Sequence, residues 1–258
     1  MTALEKSNVV SKFGGSIPSL RALPATLERP AAGGAASNDA TFSLLTGAQP
    51  RLDISSPQGS PWSCGALLNF VRQNQLVSVG TAFLIEPDVL LTAKHCISDS
   101  EPYDAVGVWI AYDARYNNAV PPIGISAFAL HATLDIAVFI LQSSFGCSIA
   151  MGDAPTQQGA QLSLSGYAMP YDDGSVRYSS GSGSLVSSTG ISLAYYINTR
   201  PGDSGAPVFY ASAGTTTAVA VHTESTNGLE LGNSGVALSS AVRGDIATLI
   251  DFARSQVR

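Results

Sequence analysis

Basic charge is scarce in this sequence. Of 258 residues, 13 are lysine or arginine against 19 aspartate or glutamate, and the formal net charge is −6. Lysine occurs only at Lys6, Lys12 and Lys94, and no basic run exists. Nucleic acid is bound by clustered cations, so it is excluded as a partner. Long apolar runs are missing too. The longest, such as IAVFIL (Ile136 to Leu141), are strand length and far short of a membrane span, so no membrane partner is expected. The first twenty residues lack the apolar centre of a signal peptide. The expectation is a cytoplasmic protein, or a secreted one if a leader has been trimmed. The cysteines, Cys64, Cys96 and Cys147, are odd in number and lack metal-ligand spacing. Buried free thiols in a reducing compartment are expected, with no metal and no organic cofactor.

What is present is glycine, proline and short apolar segments. With 25 Gly, 14 Pro and 45% hydrophobic residues, the chain can bury one or two sizeable cores, and an all-β fold with many turns is favoured. Residues 1–50 differ from the rest. LPATLERPAAGGAASNDA has little periodicity and reads as an irregular N-terminal extension or pro-segment. Residues 51–258 form the expected main domain. Strand-like runs recur there about every ten residues, as in a barrel or sandwich. They are Ala66 to Val71, Val77 to Ile85, Asp88 to Ala93, Ala105 to Tyr112, Asp135 to Leu141, Gln161 to Ala168, Gly183 to Ser188, Ala206 to Ala211 and Thr216 to Glu224. One helix is predicted over Ala241 to Val257. Ile246, Leu249, Ile250 and Ala253 make its single apolar stripe.

Three motifs carry chemistry. His95 follows an apolar strand in LLTAKHCI, and a strand end is a rigid place from which to present a base. Asp135 stands directly ahead of six apolar residues in LDIAVFIL. A carboxylate at the mouth of a buried strand needs a partner, and a histidine ring N–H would suit. Ser204 lies in TRPGDSGAP. Gly202 and Gly205 permit a sharp turn there that can aim the N–H groups of Gly202 and Ser204 at one spot, an oxyanion hole. Singly, each has a plainer reading: a packed or surface histidine, a strand-capping aspartate, a chance G-D-S-G. Together, in the order His, Asp, Ser, they match one of the known triad orders.

On these motifs, TAKHC, LDIAVFIL and GDSGAPV, the sequence resembles the trypsin/chymotrypsin-like serine peptidases from about Pro61 onward. The resemblance implies an all-β fold of two six-stranded antiparallel barrels with a C-terminal helix and the site in the cleft between the barrels. It implies a serine endopeptidase acting on protein or peptide substrates. Ser204 would attack the carbonyl, His95 would move its proton and Asp135 would orient His95.

Specificity follows from the same resemblance. Asn198, six before the nucleophile, replaces the aspartate of a trypsin-like pocket. Thr199, His222 and Ser225, with the stretch SLSGYAMP, resemble the bacterial glutamyl endopeptidases, whose pocket histidine and hydroxyl hold a glutamate. His and Ser/Thr donate hydrogen bonds to a carboxylate. Two positions depart from that subgroup. Glu224 follows His222 closely and would repel an acidic substrate if it faced the pocket. Asp203 stands where some members have Asn or Gln.

Asp203 also raises activation. In chymotrypsin-like zymogens this aspartate pairs with a newly cut N-terminal amine. Arg51-Leu52 stands ahead of Gly80 at close to the family's activation spacing. One expectation is therefore cleavage after Arg51 by an activating protease, freeing Leu52 to pair with Asp203. The other is that Asp203 pairs with an internal basic group such as Arg200. A catalytically silent peptidase-fold protein that binds a peptide or protein partner is the competing functional reading. An esterase of unrelated fold is weak, because G-D-S-G is not a strand–turn–helix elbow.

Overall fold

A computed structural model describes residues 51–54, 57, 59–73, 75–97, 103, 105–112, 122–168, 177–225 and 232–257. The 1–50 extension lies outside the described residues.

Strands β2 (Gly65–Arg72), β3 (Gln75–Glu86), β4 (Val89–Thr92), β5 (Ala105–Ile110), β6 (Ile125–Leu130) and β7 (Ala137–Leu141) form one antiparallel sheet in the order β5-β2-β3-β4-β7-β6. No ladder joins β5 to β6 among the described residues. Ile123 N–H donates to the Val108 carbonyl at 2.8 Å and spans that gap. The second sheet contains β1 (Leu52–Asp53), β8 (Gln161–Ala168), β9 (Arg177–Ser188), β10 (Ser192–Tyr196), β11 (Pro207–Ser212), β12 (Thr215–Glu224) and β13 (Asn233–Ala237). Its order is β1-β9-β10-β13-β12-β11-β8, and a β8–β9 pairing closes six of these strands into a barrel. The molecule is thus the two-barrel, chymotrypsin-like fold, with the first barrel left half open.

Sequence explains most of these strands. β4 and β7 are buried along their whole length, which is why they read as unbroken apolar runs. β12 alternates less than a half-solvated strand, because Ala218 to His222 are all buried between its neighbours. β6, β10 and β13 were not anticipated. β13 is NSGVA, too short and too small-residued to stand out, and its pairing with β12 and β10 makes it a strand.

The one described α-helix, α1 (Ser240–Ser255), begins where Ser239 accepts from the Val242 N–H. Val242, Ile246, Leu249, Ile250 and Ala253 are buried, the expected stripe plus one residue. The helix lies against β6 and β7 of the first sheet. Arg254 ties its end to Glu86 (2.7 Å) and Asp88 (2.9 Å) on the β3–β4 hairpin.

Candidate active site

His95 is presented at the end of β4. Ala93 is still extended, then the chain tightens into a 3-10 turn over Lys94–Cys96. The loop opposite, residues 131–135, is organised by the third histidine. His131 Nδ1 accepts the N–H groups of Thr133 (3.2 Å) and Leu134 (2.9 Å), and its backbone N–H donates to the Ile136 carbonyl (2.9 Å). Lys94 Nζ clamps the same loop through the His131 carbonyl at 3.1 Å. The loop delivers Asp135 to His95 twice. Oδ2 meets the ring Nδ1 at 2.6 Å and Oδ1 accepts the His95 backbone N–H at 2.8 Å. One carboxylate thus fixes both the ring and the backbone that carries it.

The charges respond to this contact. The Asp135 bond, and secondarily Cys96, push the His95 imidazole up to about 10. Burial raises the Asp135 carboxyl, and the hydrogen bonds from His95 outweigh that and leave it below the usual carboxylate range.

Ser204 sits in a turn that the first barrel grips. Thr81 of β3 donates its N–H to the Ser204 carbonyl at 2.9 Å and its Oγ1 to the Gly202 carbonyl at 2.8 Å. Cys96 Sγ, beside His95, approaches the same Ser204 carbonyl at 3.7 Å. Gly202 and Gly205 have φ of 95° and 86°, a region that L side chains avoid. A Cβ on Gly205 would collide with the Thr81 carbonyl and the Thr92 hydroxyl. Among the described residues, neither the Gly202 nor the Ser204 N–H donates to a protein acceptor.

Behind the turn, Asp203 is fully buried and meets a cation. Arg51 pairs with it, Nη1 to Oδ2 at 2.9 Å and Nη2 to Oδ1 at 3.0 Å. Arg200 contributes its backbone N–H (2.7 Å). Burial pushes the Asp203 carboxyl above its ordinary range, against the pull of Arg51. Leu52, whose cut amine was one of the two expected partners, lies in β1 in this uncut chain and is 72% exposed.

Of the expected specificity residues, the structure brings Thr199 and Ser225 together, while His222 and Asn198 have other partners. Thr199 Oγ1 lies 2.8 Å from Ser225 Oγ and accepts from Asn233 Nδ2 at 2.8 Å. Asn233 Nδ2 also donates to the Ile197 carbonyl at 2.6 Å. His222 is buried on β12, with Nδ1 2.7 Å from the Tyr195 hydroxyl. Burial, then the charge of Arg51, hold His222 down to about 3, so it is neutral rather than the charged imidazolium that would add Coulomb attraction. Glu224 is exposed and makes a long 3.5 Å contact with Ser234 Oγ. Asn198 offers its carbonyl to Arg51 Nη1 at 3.2 Å.

The trypsin-like peptidase domain matches residues 80–219, more than half of the chain. This chain belongs to the trypsin-like peptidase family. A search of curated proteins by sequence found no match. Among solved structures, a Glu endopeptidase in complex with MPD superposes with a TM-score of 0.64 at 22% identity, covering 77% of this chain and 95% of that one. In this trypsin-like peptidase, the residues that sequence reasoning missed are the buried polar ones behind the site, Thr81, Tyr195 and Asn233, and the half-buried His131 of the Asp135 loop. Thr81 and Asn233 have no exposed surface. Nothing in VGTAF or GNSGV marks them, because their role is set by segments distant in sequence. Among the described residues no His/Cys/Asp/Glu cluster has metal-binding geometry, and Cys64, Cys96 and Cys147 are free thiols.

Proposed function

We propose that this protein is a serine endopeptidase that cuts peptide bonds through an acyl-enzyme on Ser204. The observation that carries the reading is the double contact of Asp135 with His95, beside the turn that holds Ser204. A base oriented in this way takes the serine proton as Oγ attacks the carbonyl, then returns it to the leaving amine. The N–H groups of Gly202 and Ser204 stabilise the oxyanion.

We further propose a preference for Glu, or Asp, before the cut bond. Three features support it: the Thr199–Ser225 hydroxyl pair, the neutral His222 beside them in the motif pattern, and the likeness to a Glu endopeptidase. Neutral donors suffice for a carboxylate, provided His222 carries its proton on Nε2. That tautomer requires the Tyr195 hydroxyl to give its one proton to Nδ1 at 2.7 Å and not to the Ser234 carbonyl at 3.2 Å. Cleavage after Arg51 is not required, because Asp203 already has a cation.

The test is digestion of a mixed peptide library with the wild-type chain and with Ser204→Ala, alongside labelling by a fluorophosphonate. Cuts after Glu that vanish in the variant support both parts. Cuts after other residues keep the triad and remove the specificity. A folded wild-type chain that neither cuts nor labels leaves a peptidase-fold binding protein.

A further inference from the structure

Arg51 is buried far more completely than a linker arginine would be. Its side chain is 3% exposed. Every arm of the guanidinium is used. Nε donates to Ser179 Oγ (3.0 Å), Nη2 to the Ser179 carbonyl (2.9 Å) and Oγ (2.8 Å), and Nη1 to the Asn198 carbonyl (3.2 Å). The same two terminal nitrogens form the two-pronged pair with Asp203, so the donors of Nη2 are shared between Ser179 and the carboxylate. Such fork-to-carboxylate pairing fixes orientation as well as charge.

The three segments held in this way define the site. Ser179 belongs to β9, Asn198 precedes the pocket residue Thr199, and Asp203 precedes Ser204. A Cβ on Gly166 would fall 2.5 Å from Asp203 Oδ1, so β8 admits the carboxylate only because a glycine stands there. Leu52 and Asp53, next along the chain, are paired to Ser180 and Ser179 of β9. A protease cutting after Arg51 would need that segment stripped from the sheet and the guanidinium drawn out of its socket.

We propose that Arg51 is a positioning residue for the reaction: its side chain holds the oxyanion turn and the pocket wall in working order in the uncut chain. This rests on the peptidase reading above. The cation that other chains gain by cleavage is supplied here by a side chain at the root of β1.

The experiment uses the full chain as wild type, Arg51→Gln, Arg51→Lys and the double variant Arg51→Met/Asp203→Asn. The double variant removes both charges together, so that no lone buried carboxylate unfolds the protein. Two readouts are taken: the rate of fluorophosphonate labelling with the intact mass of the labelled species, and amide hydrogen exchange over residues 200–205. The expected result is label on the uncut wild-type chain. In Arg51→Gln and in the folded double variant, labelling and kcat should fall roughly 100- to 1000-fold, the scale of a lost oxyanion donor, with KM changed much less. Exchange over 200–205 should rise, and Arg51→Lys should fall between wild type and Arg51→Gln. Label confined to chains beginning at Leu52 overturns the inference, as does a double variant with wild-type kcat and exchange. If no form labels, the peptidase reading fails, and exchange over 200–205 still decides whether Arg51 orders the turn.

Discussion

Thr81 Oγ1 donates to the Gly202 carbonyl at 2.8 Å and accepts the Tyr167 N–H at the same distance, with no surface exposed to water. One hydroxyl of the first barrel thus fixes both the oxyanion turn and β8 of the second. Thr81→Val keeps the shape and removes the hydroxyl. The Gly202 carbonyl and the Tyr167 N–H then both lose this buried partner, at a cost of about 1–3 kcal/mol. Thermal unfolding should show a drop of about 2–4 °C per kcal/mol. The activity loss should exceed what stability explains, since the turn itself loosens. A variant with wild-type stability and kcat would show that the hydroxyl is idle.

The pH dependence follows from the Asp135–His95 contact. His95 acts as a base only when neutral, so kcat/KM should rise with pH as the imidazolium loses its proton. Because the ring is pushed up to about 10, that rise should lie well above the ordinary histidine value of about 6.5. The pair's contribution to stability has the opposite course. The His95 part is complete below about 6.5 and is lost as pH climbs through about 10, while the Asp135 part is lost on the acid side, as pH falls through its depressed range. Asp135→Asn should shift the activity limb downward and cut kcat roughly 10⁴-fold, as in triads of this type. A wild-type limb at or below the ordinary histidine value contradicts this account.

Gly205→Ala tests the turn directly. At φ 86° an alanine is strained, and its methyl group would meet Thr81 and Thr92 at the end of the strand that presents His95. Strain and overlap together should cost at least about 2 kcal/mol and move Ser204 away from His95. Fluorophosphonate labelling should be lost even where circular dichroism shows a folded protein. Labelling at the wild-type rate would mean that the turn tolerates a side chain.

Tyr195→Phe probes the pocket without touching its surface. The phenol oxygen lies 2.7 Å from His222 Nδ1 and 3.2 Å from the Ser234 carbonyl. Its loss frees His222 to place its proton on either nitrogen. Cleavage after Glu should fall by roughly three- to tenfold, the worth of one neutral hydrogen bond, while cleavage after Gln changes less. Equal loss for both substrates would assign Tyr195 a structural role only.

The fold and the three motifs were legible in the sequence because each is local. A buried strand reads as an apolar run, a turn as its glycines, and α1 as its stripe of Ile246, Leu249, Ile250 and Ala253. What escaped is the polar layer behind the motifs. Asn233 can be recognised as a support for Thr199 only once β13 is set beside β10 and β12. Arg51 was visible as a cation near the start of the domain. Its partner was uncertain because a guanidinium reaches across space, and the same spacing served equally well for a cut site. Ser179, the residue that turns Arg51 inward, stands in a serine-rich run with nothing to distinguish it.

The helix has a consequence for when this molecule becomes whole. Its apolar face fills the flank of the barrel made first, against β6 and β7, and Arg254 fastens it to the β3–β4 hairpin. During synthesis, which runs from the N-terminus at about 5–20 residues per second, the amino-terminal barrel emerges without that cover and waits for the helix, which is made after the second barrel. His95 and Asp135 are on the unfinished half. The proposed triad is therefore completed only once the second barrel and the helix have both been made.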